Sequence, residues 1–299
     1  MKILLLGGNG QVGHELRRSL APLGDVVVTT RDGRLADGAS CEALDLSELD
    51  GIAPLVERTT PDVVVNAAAY TAVDRAEDEA EAAFRANAEA PARLSAACAA
   101  AGADLVHYST DYVFDGTGTR PYREDDPTSP LGVYGASKLA GEQAIRASGA
   151  RHLILRTAWV YGLHGQNFLR TMLRVGAQRD ELRVVSDQIG SPTPAWLIAD
   201  VTAAVLSKGL PESAVRHLVT GGETTWYGFA TAIFEQAAAT GRMPRHPRVV
   251  PITTAEYPTR ATRPAYSVLD TTCLREAYGV KLMDWRAALD ATFDDVRHA

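Results

Sequence analysis

Five short apolar runs, each separated from the next by a stretch of helical periodicity, restrict the fold of this chain more than any other feature. They read KILLL, DVVVTT, PDVVVNAAA, ADLVHYST and RHLILRT, all within the first 157 residues. Runs without polar alternation suit strands buried on both faces, and strands alternating with helices predict a parallel sheet covered on either side. The intervening QVGHELRRSLAPL, AEDEAEAAFRANAEAPARLSAACAAAG and PLGVYGASKLAGEQAIRAS carry helical periodicity and much alanine. Right-handed crossovers wind such a sheet in both directions, which predicts an α/β fold of the Rossmann, doubly wound type. After about residue 165 the alternation loosens into helices and short extended pieces with Pro and Gly, as in DQIGSPTPAWLIAD and ATRPAYSVLD. Residues 1–165 are therefore expected to bind a nucleotide. Residues 166–299 are expected to form mainly a smaller substrate lobe, with some segments returning to the first half.

Composition narrows the function classes. Apolar residues make up 46% and charged residues 22% of the chain, ordinary values for a folded protein. A net charge of −7 argues against a general nucleic-acid binder, which needs a basic face. The opening MKILLLGGNG has too short an apolar run for a signal peptide or a membrane span, so no membrane partner is expected. Cys41, Cys98 and Cys273 are far apart and lack metal-site spacing, which fits a reducing cytoplasm and no metal.

Directly after the first run, GGNGQVG opens the first helix. Its glycines parse as G-x-G-x-x-G from Gly8 or as G-x-x-G-x-x-G from Gly7, with Gly10 and Gly13 common to both. Glycines at a strand-to-helix turn let backbone N–H groups approach a pyrophosphate at the positive end of a helix. The second strand ends in VVTTRD, with Arg31 about where an acid would otherwise meet the ribose 2′-hydroxyl of NAD. That points to NADPH, with NADH left possible by the adjacent Asp32. Asp45, at the end of a presumed third strand, is either an acceptor for the adenine amino group or a cap for a helix beginning near Glu48.

The run ADLVHYST ends in Ser109 and Thr110, at the carboxyl end of a strand, where an open parallel sheet faces its ligand. In VYGASKLAGE, Tyr134 precedes Lys138 by one helical turn on the same face. Together they form a plausible set: Thr110 positions a substrate carbonyl, Tyr134 donates a proton, and Lys138 lowers the tyrosine pKa and holds the nicotinamide ribose. Hydride would come from the cofactor.

GGNGQVG, NAAAYTAVDRAE, STDYVFDG, VYGASKLAGE and RTAWVYG occur in the order and spacing of extended short-chain dehydrogenases/reductases. With DQIGSPT and TRPAYSVLD, nearly the whole chain resembles the dTDP-4-dehydrorhamnose reductase family. The resemblance implies that Gly7, Gly10, Gln11, Val12, Asp45, Leu46, Ala67, Ala68, Tyr134 and Lys138 line the cofactor. It implies that Thr71, Val73, Thr110, Asp111, Tyr112 and Trp159 approach a dTDP-sugar. Trp159 has an alternative as ordinary packing, and Asn87 is expected to be structural. Arg263 is a candidate donor to the diphosphate or else a surface arginine. Some relatives form metal-bridged dimers through acidic residues. Glu15 matches one such position, but Trp196 stands where another acid would fall, so a monomer or a metal-free homodimer is expected. Reduction of a different 4-keto sugar nucleotide, an epimerase or dehydratase activity, and a non-catalytic dinucleotide-binding subunit remain as alternatives.

Overall fold

The computed structural model describes residues 1–243 and 245–294. The chain runs through β1 (Lys2–Leu6), α1 (Gln11–Leu20), β2 (Asp25–Thr30), the short β3 (Glu42–Ala43), α2 (Ile52–Thr59), β4 (Val63–Asn66), α3 (Val73–Ala76) and α4 (Ala80–Phe84). A π-helical turn at Arg85–Glu89 leads into α5 (Ala90–Ala101), followed by β5 (Asp104–Thr110), α6 (Val133–Ala147) and β6 (His152–Thr157). Then come β7 (Val160–Tyr161), α7 (Phe168–Gly176), β8 (Glu181–Val185), β9 (Ile189–Gly190), β10 (Thr193–Pro194) and α8 (Ala195–Leu206). The described chain closes with β11 (Ala214–His217), β12 (Thr224–Thr225), α9 (Trp226–Ala239), β13 (Arg248–Ile252), α10 (Thr272–Tyr278) and α11 (Trp285–Asp294).

Seven strands form one sheet in the order β11-β6-β5-β4-β1-β2-β3, and every pair in it is parallel. The five apolar runs supply β1, β2, β4, β5 and β6. In β1 the consequence of two-sided burial is explicit, because alternate side chains feed two different cores. Ile3 and Leu5 pack with Leu16 and Leu20 of α1 and Ile198 of α8. Leu4 and Leu6 pack with Ile52 and Leu55 of α2, Leu94 of α5 and Ile145 of α6. All four strand residues are fully buried. Sequence order reverses between β1 and β4, so the carboxyl ends of these strands and of β5 open a crevice for ligand.

Two pieces of the second half sit on the first: β11 extends the sheet beside β6, and α8 packs across α1. The remainder builds its own core, in which Tyr161, Leu169, Val184, Phe229, Ile233 and Phe293 meet. The alanine-rich stretch before β5 is not one uniform helix. At its π-turn, fully buried Asn87 bonds the backbone N–H and C=O of Tyr70 and the Ser137 hydroxyl, tying α6 to the loop after β4. No described helix is long and apolar enough to cross a membrane.

Candidate active site

The glycine loop turns back on itself between β1 and α1. Gly10 N–H donates to the Gly7 carbonyl at 2.9 Å, and the N–H groups of Gly7 and Gly8 donate to Thr29 O of β2. Gly7 has φ +82°, and a Cβ there would stand 2.8 Å from Ala68 N. A Cβ on Gly13 would strike the Gly7 carbonyl oxygen. Both positions therefore demand glycine. Gly10 begins α1 with no side-chain cap, which leaves the helix N–H groups facing the crevice as a cradle suited to pyrophosphate. Gln11 Oε1 accepts from Asn167 Nδ2 at 2.8 Å, so the N-terminal cap of α7 also touches this loop. Val12 lies partly buried against the α1 core.

At the end of β2, exposed Asp32 folds back on its own turn: its Oδ1 accepts from the Thr30 hydroxyl and from Arg34 N. Arg31 points out instead, its side chain 84% exposed and its Nε 3.8 Å from Asp45 Oδ2. Asp45 caps its own turn through Ser47 N at 2.9 Å, and that bond holds its carboxyl below the usual range. The α-helix expected near Glu48 begins later, at Ile52, after a 3-10 turn over Leu49–Gly51. Leu46 is buried beneath this turn. Ala67 and Ala68 continue β4, Ala67 N donating to Leu6 O and Ala68 N to Asn66 Oδ1.

The proposed proton-transfer groups meet where β5 ends against the start of α6. Val133 N–H at the head of α6 donates to Glu77 Oε1 at 2.9 Å, a cap supplied from 56 residues away. Tyr134, the next residue, and Lys138, one turn on, face β5. Burial pushes the Tyr134 phenol up to about 12, the Asp111 charge adds to this, and a hydrogen bond with Thr110 offsets part of it. Burial pushes Lys138 down to about 8, against the attraction of Glu142. The lysine does not figure among the groups that shift the phenol here, which are the burial, Asp111 and Thr110 just named. Lys138 Nζ donates to the Tyr108 carbonyl at 2.6 Å, and desolvation governs the phenol.

Asp111 follows Thr110 and is buried. Its Oδ1 accepts from the Thr110 hydroxyl at 2.9 Å, whereas Oδ2 has no hydrogen-bond partner among the described residues. Burial pushes this carboxyl up to about 6, with the Ser267 and Thr110 hydroxyls pulling the other way. The Tyr112 and Tyr134 rings meet edge to face at 5.6 Å. Thr71 and Val73 lie on the loop after β4 and at the start of α3. Trp159 stacks on Trp226 at 3.6 Å and holds φ +46°, a strained value for a non-glycine residue. Arg263 reaches Asp74 of α3 through two bonds, of 3.0 and 2.7 Å, so it is neither free nor merely a surface charge. A separate groove of about 650 Å³, lined by Met1, Pro61, Asp62 and Leu210, lies beside the amino ends of β1, β4 and β5 and holds none of these groups.

The sequence model of the RmlD substrate binding domain family matches residues 1–298. A dTDP-4-dehydrorhamnose reductase from Burkholderia thailandensis is 49% identical, and the match covers 99% of this chain and 99% of that protein. The chain belongs to the dTDP-4-dehydrorhamnose reductase family. Among solved structures, the member from Clostridium acetobutylicum superposes with a TM-score of 0.89 at 37% identity, covering 98% of this chain and 99% of that one. The Bacillus anthracis member, solved in complex with NADP, gives 0.89 at 33% identity with 98% of each chain covered.

Within this dTDP-4-dehydrorhamnose reductase family member, several residues at the site carry no local signal in sequence. Glu142, one turn beyond Lys138, receives the Ser109 hydroxyl and both Nε and Nη2 of Arg156, all buried. Ser267 arrives with a strap from the second half whose backbone pairs with Ile189 and Gly116. Trp226 backs Trp159 from 67 residues further along the chain. Trp196 folds inward, donating its indole N–H to Thr292 of α11, while buried Glu15 lies 3.8 Å from Arg18.

Proposed function

We propose that this chain reduces the C4 ketone of dTDP-4-dehydro-β-L-rhamnose, which is dTDP-4-dehydro-6-deoxy-L-mannose, to dTDP-L-rhamnose with NADPH, NADH being a possible substitute. The observation that supports this best is the convergence of Thr110, Tyr134 and Lys138 beside the glycine cradle, in a chain that matches its family from end to end. When bound, NADPH supplies the hydride that C4 receives. The loop around Gly7, Gly10, Gln11, Val12 and Gly13 would take its pyrophosphate. Arg31 would meet the 2′-phosphate, Asp45 and Leu46 the adenosine, and Ala67 and Ala68 the ribose side. The neutral Tyr134 phenol is the form able to give a proton to the C4 oxygen, which Thr110 orients through its hydroxyl. Lys138 holds the nicotinamide ribose and stabilises the phenolate that proton transfer leaves.

The sugar nucleotide would lie against Thr71, Val73, Tyr112 and Trp159, with Asp111 Oδ2 accepting from a sugar hydroxyl and Arg263 facing the diphosphate. Residues 1–165 serve the cofactor and residues 166–299 mainly the substrate. The charge and the inward Trp196 favour a cytoplasmic enzyme without nucleic-acid or membrane partners, as a monomer or a homodimer that needs no metal bridge. The test generates the 4-keto sugar nucleotide in situ with and without a 3,5-epimerase, adds NADPH, and identifies the product by NMR. dTDP-L-rhamnose formed only with epimerase is the expected result. Efficient turnover without epimerase redirects the enzyme to a D-series ketone, and no turnover in either mixture refutes the reading.

A further inference from the structure

Lys138 sits at the end of a chain of three buried polar side chains whose hydrogen-bond directions are not independent. Its Nζ lies 3.3 Å from His107 Nε2, and the other ring nitrogen, Nδ1, lies 3.1 Å from Asn66 Nδ2. His107 is 1% exposed and Asn66 1% exposed, so solvent offers neither an alternative partner. The amide of Asn66 is oriented from outside the trio, because its Oδ1 accepts from Ala68 N–H at 3.1 Å. Its NH2 therefore faces the imidazole, and since NH2 only donates, Nδ1 must accept. A neutral ring then carries its proton on Nε2, aimed at Lys138.

An ammonium has three donors and no lone pair, so an Nε2–H facing it is a contact between two donors. A neutral amine removes the conflict, accepting from Nε2–H while donating to Tyr108 O. The charged lysine fits only if the ring proton moves to Nδ1 and Asn66 turns its amide over, giving up the bond from Ala68 N–H. We propose that His107, oriented by Asn66, is a positioning residue that sets the charge of Lys138. With its proton on Nε2 the ring holds the lysine as the amine, and with its proton on Nδ1 it accepts from the ammonium. The inference rests on the reading above for the role of Lys138, but its geometry does not.

The other ionisable groups around Nζ are accounted for. Glu142 on the same helix favours the ammonium but is engaged by Arg156 of β6 and by Ser109. Tyr134 lies one turn back on α6, and Asp111, in the turn after β5, acts on Tyr134. His107 is held neutral by burial and by the lysine beside it, so the ring changes tautomer rather than charge.

Two measurements test this. Long-range ¹H–¹⁵N NMR of the intact protein, with the His107 signal assigned by its loss in His107→Gln, reads the tautomer without any turnover. The Nε2–H form is expected at about pH 9.5, giving way to Nδ1–H as the pH falls through about 8 and the lysine charges. An Nδ1–H ring at the alkaline end, or one tautomer throughout, overturns the proposal. In kinetics, a glutamine at position 107 can always offer its carbonyl oxygen to the ammonium. His107→Gln should thus move the alkaline limb of kcat upward by about one pH unit, about fivefold in kcat at pH 9, with KM changed less than about threefold. A uniform fall in kcat at every pH with an unmoved limb is the signature of a merely structural role and also overturns it. If the chain reduced no 4-keto sugar at all, the proposed function would fail while the NMR result still judged the tautomer.

Discussion

Asp111 offers a direct test of how far this site is held against its own stability. Its carboxyl rises from 3.8 to about 6 because it is buried with one oxygen unpartnered. A carboxyl raised on folding binds more protons folded than unfolded between those two values. Stability therefore falls as the pH rises through that window, and the loss is complete above about 6. A shift of roughly two units corresponds to about 3 kcal/mol of destabilisation at neutral pH. Asp111→Asn removes the charge and keeps an oxygen for the Thr110 hydroxyl, but it buries an unpaired amide at a cost of about 1 kcal/mol. The net expectation is about 2 kcal/mol of added stability at pH 7.5, shrinking to about zero near pH 4.5, where the native carboxyl already holds its proton. Urea unfolding of both proteins at the two pH values, followed by tryptophan fluorescence, reads the difference. On the proposed contact between Oδ2 and a sugar hydroxyl, kcat/KM should fall by about tenfold or more. A variant no more stable than the parent at pH 7.5, or equally stabilised at both pH values, would refute the reasoning.

Tyr134→Phe should retain the fold and cofactor binding while losing about 10²-fold or more in turnover, as expected for a lost general acid. Single-turnover hydride transfer at the parent rate in that variant would remove the phenol from the mechanism. Arg31→Ala should narrow a preference for NADPH over NADH, because it deletes the exposed guanidinium at the end of β2. Ratios of kcat/KM with the two cofactors check this, and equal efficiencies in the parent or an unchanged ratio in the variant count against it.

What sequence made legible here follows from how far apart the cooperating residues lie. The sheet could be read because each strand announces itself in a few consecutive apolar residues, and the glycine cradle because its geometry is local to one turn. Tyr134 and Lys138 could be placed on one face because helical spacing alone does that. The same spacing does not fix every partner they take. Sharing a face says nothing about where an ammonium finds its acceptor, and Lys138 takes the Tyr108 carbonyl, 30 residues earlier. Burial, which decides the phenol's proton affinity, is a property of the packed molecule. The remaining partners all come from long range: Asn66 to His107 across 41 residues, Ser109 to Glu142 across 33, and Arg263 to Asp74 across 189. None has a fixed offset by which a pattern could find it. Asp111 shows the consequence most sharply. In sequence it is one acid after a threonine; in the fold it is a buried carboxyl with an oxygen left over, a burial that costs stability and that no local sequence pattern announces.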